Sequence, residues 1–351
     1  MPNRNAVNPD MVNAEMVNRS PDNGGVPGRT SARLPGPPAG GEPASRGGGS
    51  TLLVVGEVVT DVVAQYTAPL ATGTDTVARI RFLPGGAGAN AACWAARRGG
   101  AEVRLLGRVG RDERGRHEEE LRAHGVRPCL TADTTAPTST VIVLVDPAGE
   151  RTFLTDGEAV RRMSSADWSP ALLNGVGHLH VSGYLFFCES SLGLARLALR
   201  TARSRGIPVS VDPASAGFID TLGADRLLAE YEGVDVLIPN LAEARSLTGL
   251  PGAAEAAVAL SRRVPLVAVT LGPEGALIAE AGALVARVPA PAARPVDSTG
   301  AGDAFCGAFL AARLAGAGAR AAAVEGCRAG AEAVSLIGGR PPRPDTARPA
   351  Q

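Results

Sequence analysis

The stretch 296-VDSTGAGDAFCGAFLAARLAGAG-318 sets two acids, Asp297 and Asp303, around a Gly300-Ala301-Gly302 turn, directly before an alanine-rich apolar run. The spacing predicts a helix beginning near Ala301, with Phe305, Phe309 and Leu310 on its buried face. The N–H groups of Gly300, Ala301, Gly302 and Asp303 would then point out of the helix start with no partner inside it, forming a hole for an anion that gains charge. Asp303 falls in the first turn, where the helix dipole favours its ionised form. Such a carboxylate is a weak base, yet phosphoryl transfer passes through a loose transition state that needs positioning more than basicity. An Asp that only complements the dipole explains Asp303, but neither the Gly-Ala-Gly turn nor Asp297.

Outward from this stretch, short β-branched runs alternate with helical ones. AEVRLLGRVG, GHLHVSGY, IPVSVDP, VDVLIPN and PLVAVTLG read as buried strands, separated by segments such as SLGLARLALRTARSRG and AAEAAVALSRR. This alternation predicts an α/β fold with a mainly parallel sheet, whose ligands sit at the carboxyl ends of the strands. Two stretches break the pattern, at about residues 60–83 and 138–157, where apolar residues alternate with period two around turn signals. They read as half-exposed antiparallel strands outside the main sheet, suited to a small β lid that excludes water. Residues 1–49, rich in Asn, Pro, Gly and Ser, read as a disordered extension; 50–340 as the folded domain; 341–351 as a tail.

Composition removes whole classes of function. The 351 residues carry 35 acidic and 35 basic residues, and lysine is absent from the chain. A Walker-type P-loop, a protein-kinase phosphate lysine and a Schiff-base amine are therefore all excluded. Zero net charge and 3% aromatic residues argue against nucleic acid and anionic membranes as partners. Five scattered cysteines without a CxxC pair, no long apolar run and no signal-peptide core point to a cytoplasmic protein.

Further stretches carry candidate binding groups. In PGGAGANAACWAARRGG, Gly85, Gly86 and Gly88 permit close backbone approach and Asn90 opens a helix. The local match to GxGxxA fails as a dinucleotide site, because the next strand, VRLLGRVG, offers arginines where an acid is needed. Asp61 lies just past the first strand, where a carboxylate suits sugar hydroxyls. In LIPNLAEARSLTG, Asn240 and Glu243 fit either a capping box or water-mediated binding of Mg²⁺. Thr270, Gly272 and Gly275 follow another strand and fit a tight turn or the passage of a nucleotide. His178 and His180 share one strand face without a third ligand and read as a packed pair, Cys306 as packing, and Arg151 as a solvated hairpin arginine, the alternative being an arginine free to meet an acidic sugar or a phosphate.

The combination of GGAGANAACWAARRG with DSTGAGDAF, with NLAE and TLGPEG in order between them, resembles the ribokinase (PfkB) family of carbohydrate kinases over roughly Leu52 to Gly339. The resemblance implies a three-layer α/β/α core with a β-sheet lid, and an ATP-dependent, Mg²⁺-requiring phosphotransferase acting on a hydroxyl of a small sugar. It implies Asp303 as base and Gly300, Ala301 and Gly302 as the anion hole. Asp61, Gly85, Gly86 and Asn90 would grip substrate hydroxyls, and Asn240, Glu243, Thr270, Gly272 and Gly275 would serve the nucleotide. Glu243 would act on Mg²⁺ through water and Asp297 would hold a monovalent cation, K⁺; homodimers through the lid are a family habit. Ala87 stands where ribokinases proper carry lysine, which bears on the sugar rather than the reaction. A nucleoside kinase and a non-catalytic sugar or nucleotide sensor are the alternatives.

Overall fold

The computed structural model describes residues 49–147 and 151–344; the extension expected over 1–49 and the tail expected over 341–351 fall mostly outside the described residues. Its strands are β1 Thr51–Val55, β2 Val59–Tyr66, β3 Ala78–Gly85, β4 Glu102–Gly110, β5 Val126–Asp133, β6 Thr140–Val145, β7 Arg151–Asp156, β8 Val176–Ser182, β9 Val209–Asp212, β10 Val236–Leu237, β11 Leu266–Thr270, β12 Ala276–Glu280 and β13 Ala283–Val288. Its helices are α1 Ala87–Arg98, α2 Arg114–Ala123, α3 Glu158–Arg161, α4 Glu189–Ser204, α5 Ala216–Leu222, α6 Ala224–Glu230, α7 Leu241–Thr248, α8 Ala253–Leu260, α9 Ala301–Leu314 and α10 Ala319–Ala333.

Nine strands form one sheet in the order β13-β12-β11-β10-β9-β8-β1-β4-β5. It is parallel from β5 to β11, and only β12 and β13 run antiparallel at one edge. Both faces are covered, so the central strands are apolar on both sides. Along β1, Leu53 and Val55 enter one core with Leu179, Val181, Val209 and residues of α4 to α8, while Leu52 and Val54 enter the other with α1, α9 and α10. Each fully buried aliphatic side chain contributes about 1.5–3 kcal/mol. This is the expected three-layer arrangement. No helix among the described residues is long and apolar enough to cross a membrane.

The two period-two stretches form a separate four-stranded sheet, β3-β2-β6-β7. It is not antiparallel throughout, as the turn signals suggested: two antiparallel hairpins are joined by a parallel β2–β6 pair. The reason is topological, since β2 and β6 both leave the core as outgoing strands. Pairing sets Phe82, Val62, Ile142 and Leu154 in one row across the sheet, and Asp61 in a neighbouring row on the opposite face.

Candidate active site

The carboxyl ends of the parallel strands supply a ring of polar groups. Glu57 follows β1, Ser182 ends β8, Asp212 ends β9, Asn240 follows β10 and Thr270 ends β11. Asn90 in α1 and Asp303 in α9 complete the ring, and Asn90 Nδ2 donates to Asp303 Oδ2 at 2.8 Å. Glu57 Oε2 accepts from Ser182 Oγ at 2.8 Å. Asn90 Oδ1 and Glu57 Oε1 are buried with no protein partner.

The glycines of the first motif have separate steric causes. Gly88 packs on Gly56, where an added Cβ would lie 2.7 Å from the Gly56 Cα, so α1 starts in direct contact with the end of β1. Gly86, at φ 97°, sits against the Glu57 carbonyl. A Cβ on Gly85 would fall within 2.5 Å of Oδ1 of Asp61. At the other motif Gly300 has φ 74° and abuts Gly339. Gly302 is exposed, with nothing within 4 Å of the place a Cβ would occupy, so open space lies over the first turn of α9.

Burial, with the mutual repulsion of the acids behind it, dominates the electrostatics. Asp303 keeps some accessible surface, but desolvation pushes its pKa up to about 7; Asp212, Glu57 and Asp61 push the same way, against the Asn90 hydrogen bond. The helix dipole thus does not keep Asp303 in the ordinary carboxylate range, because burial among other acids outweighs it. Glu57 is raised to about 7, again chiefly by burial. Asp61 reaches about 6 through burial, with Arg340 opposing the rise. Glu243 is pushed up to about 8 by burial and then by Asp212. Carboxylates that raise one another's pKa favour a cation among them, and their charge suits a divalent ion that arrives already held by nucleotide phosphates rather than by a protein cage.

Asn240 and Glu243 form a closed capping box at α7. Asn240 Oδ1 accepts from the Glu243 N–H at 2.9 Å, while the Glu243 oxygens accept from Asn240 Nδ2 at 2.6 Å and Asn240 N at 2.8 Å. Both Glu243 oxygens are taken up by this box, and no cluster of three or more His, Cys, Asp or Glu suited to a metal occurs among the described residues. Thr270 bridges to Asn240 at the same sheet end. Beyond it Gly272 is exposed, whereas Gly275 is buried and required by packing, its Cβ position lying 2.7 Å from Ala290 N.

Two expectations are corrected by the segment before α9. Arg151 is no solvated hairpin arginine: Nη1 donates to Asp297 Oδ1 at 2.7 Å and Thr299 Oγ1 at 2.6 Å, and Nη2 donates to Ser298 Oγ. Asp297 accepts in addition from Thr299 N at 2.8 Å and, through Oδ2, from Gly338 N at 2.9 Å. Burial alone would raise its pKa, but the Gly338 and Thr299 donors and Arg151 hold it below the usual range. The carboxylate expected to bind K⁺ is already occupied by protein donors, one of them a full positive charge, and these residues do not fit a monovalent cation.

The remaining groups behave as packing. His178 Nε2 and His180 Nδ1 each lie 2.9 Å from Ser210 Oγ, and burial lowers their pKa values to about 4 and about 3. Cys306 is buried and its thiol pKa is raised by burial, which suits packing and not nucleophilic attack. Sequence reading missed Glu57, Asp212 and Arg340. The first two are acids at strand ends, a signal present in VVGEVVTD and SVDP. Arg340 is buried with Nε and Nη1 unpaired while Nη2 donates to Gly85 O at 3.2 Å, and nothing local in GGRPPRPD marks it.

Comparisons with known proteins agree on the family. The chain is 29% identical to mouse ribokinase, over 74% of this chain and 80% of that protein. It is 30% identical to fructokinase-1 of rice (Oryza sativa subsp. japonica), over 75% of this chain and 83% of that one. A solved E. coli protein in complex with ATP and Mg²⁺ has the same fold, with TM-score 0.74 and 24% identity, covering 83% of this chain and 94% of the other. The family model described as pfkB family carbohydrate kinase matches residues 50–346, and the chain belongs to that family.

Proposed function

We propose that this protein is an ATP-dependent kinase that phosphorylates a hydroxyl, most simply a primary alcohol, of a small sugar. The observation that carries the reading is the pair of buried, unpartnered acceptors, Asn90 Oδ1 and Glu57 Oε1, beside Asp303. Buried acceptors left unpaired cost about 1–3 kcal/mol each, and a polyol supplies the donors they lack. Asp61, Gly85 and Gly86 form the lid-side part of the same pocket in this reading.

Asn90 fixes Asp303 through Oδ2, and the other oxygen takes the proton of the acceptor hydroxyl. The hydroxyl oxygen bonds to the γ-phosphorus of ATP, the bond from that phosphorus to the bridging oxygen breaks, and ADP leaves. The N–H groups of Gly300 and Gly302 would meet the transferring group as it gains charge, in the open space over the first turn of α9, while Ala301 N, which donates weakly to Ser298 O at 3.4 Å, would turn to it as the third donor. Thr270 and Gly272 line the nucleotide end, with the buried Gly275 closing the turn behind them and Asn240 and Glu243 acting on the metal through water. Mg²⁺ bound with the nucleotide would neutralise the phosphates among the crowded carboxylates. The solved E. coli neighbour with ATP and Mg²⁺ supports both ligands.

A nucleoside acceptor is the second reading. Tyr184 and Phe187 pack edge to face at 6.1 Å, and Phe187 stacks on Phe218 at 4.7 Å, giving an aromatic wall where Tyr184 feels the charges of Glu57 and Asp303. The protein's macromolecular partner in this reading is a second copy of itself, which covers the exposed row of the lid containing Phe82 and Leu154.

The test is ADP release with Mg·ATP over pentoses, hexoses, sugar acids and nucleosides, with Asp303→Asn run beside the wild type. Turnover on one class, lost in the variant, establishes the kinase and its acceptor. Equal turnover in the variant removes Asp303 as base, and silence from folded, ATP-binding protein favours a sensor.

A further inference from the structure

The ion pair between the lid and the segment before α9 joins parts of the molecule that no local packing requires to meet. Arg151 is the first residue of β7, on the sheet face that also carries Asp61. It reaches across 146 positions of sequence to Asp297, and its three hydrogen bonds fall on three consecutive residues, Asp297, Ser298 and Thr299. Both partners are largely buried, with 20% and 15% of their side-chain surface exposed. The other end of the segment is pinned from behind, since Val296 N and Asp297 N donate to Val334 O at 2.7 and 3.1 Å and Gly338 N donates to Asp297 Oδ2. Thr299 leads directly into Gly300 and the first turn of α9.

We propose that Arg151 is a built-in cation: from the lid, its guanidinium holds the 297–300 segment, and with it the start of α9, in the conformation for phosphoryl transfer, so that turnover requires no K⁺ or Na⁺. The inference rests on the kinase reading above. A guanidinium suits the task because it stays protonated at every working pH and its planar fork spans several acceptors, where an ammonium offers a point charge. A metal ion and a guanidinium on one carboxylate repel each other, so the two solutions exclude one another at this position. The arrangement also ties the charge to the lid, because it arrives only when β7 is in place. Arg151 is thus a positioning residue, acting through Asp297 and the segment that follows it.

The experiment compares full-length wild type, Arg151→Gln and Arg151→Lys in buffers whose monovalent cation is either K⁺ or tetramethylammonium. Wild-type ADP release is expected to agree within about twofold between the two buffers, ionic strength being matched. Arg151→Gln is expected to lose about tenfold or more in tetramethylammonium, as a misplaced phosphate site would, and to recover part of that in K⁺. Arg151→Lys keeps more activity than Arg151→Gln in both buffers. A second readout does not need turnover: the thermal midpoint and the amide exchange of residues 296–302 should be indifferent to K⁺ in the wild type and responsive to it in Arg151→Gln. A wild type that needs K⁺ for turnover, or whose midpoint rises specifically with K⁺, overturns the proposal, and so does an Arg151→Gln variant identical to wild type in every readout. If no acceptor is phosphorylated under any condition, the kinase reading fails, and the wild-type melting and exchange data still decide whether a cation site exists. If Arg151→Gln does not fold, the wild-type response to K⁺ alone decides the question.

Discussion

Replacing Gly85 by alanine adds one methyl group at the junction of lid and core, and its effect can be worked from the structure. Gly85 is absent from the residues with positive φ, so alanine introduces no backbone strain there and the perturbation is steric alone. The new Cβ would lie 2.5 Å from Asp61 Oδ1 and closer still to Cγ and Oδ2, so the whole carboxylate has to move. Overpacking of this kind costs about 1–3 kcal/mol of stability. If Asp61 grips the acceptor, displacing it forfeits a charge-assisted hydrogen bond worth about 1.5–3 kcal/mol, or about 10- to 150-fold in kcat/KM. The loss should appear in kcat/KM for the acceptor and leave the KM for ATP near its wild-type value, since the groups proposed for the nucleotide lie at the ends of β10 and β11. Steady-state kinetics with each substrate varied in turn, beside a thermal melt, makes the measurement. A folded Gly85→Ala enzyme with wild-type acceptor kinetics would refute the placement of Asp61 against the substrate.

Asp303, with its pKa raised to about 7, should give kcat/KM an acidic limb near that pH, the rate climbing about tenfold per unit below it and levelling above. The same shift has a sign for stability: the native state holds a proton that the unfolded state, with a pKa of about 4, has released. Its contribution is full below about pH 4 and lost as pH rises through about 7, so the melting midpoint of the ligand-free protein should fall across that window and fall less in Asp303→Asn. That variant should lose about 10²- to 10⁴-fold in turnover, measured by ADP release. Cys306→Ala should retain turnover within about threefold while costing some stability, because the thiol is buried and packs near His180; inactivation of this variant would restore a chemical role to Cys306. Light scattering should find dimers that Phe82→Glu converts to monomers, and a wild-type monomer would remove the lid interface.

Much of the core was legible because two-sided burial leaves continuous apolar strands, and LLVV, VSV and LVAV read directly as such. The lid was legible for the opposite reason, as one wet face produces alternation. Its parallel β2–β6 pairing was not, since strand direction is a property of the path through space and leaves no periodicity behind. The glycine motifs pointed at close approach without saying to what: Gly85 answers to Asp61, Gly88 to Gly56 and Gly300 to Gly339. The Arg151–Asp297 pair was hidden by distance in sequence, and a lone arginine after a turn carries no sign of its partner. The dipole argument for Asp303 failed because it counted one helix and not the burial of the carboxyl or, after that, the neighbouring acids, both of which depend on the strand order.

Gly338, Gly339 and Arg340 follow every strand and helix of the described fold, yet each touches the site. Gly338 N bonds Asp297, the Gly339 carbonyl accepts from Trp94 Nε1 at 2.9 Å beside Asn90, and Arg340 reaches Gly85. The groups proposed for the sugar and for the phosphate are thus held by residues that come, in sequence, after all the elements they secure. A chain cut between α10 and Gly338 would keep every strand and helix of the three layers and still lose the rear wall of the pocket.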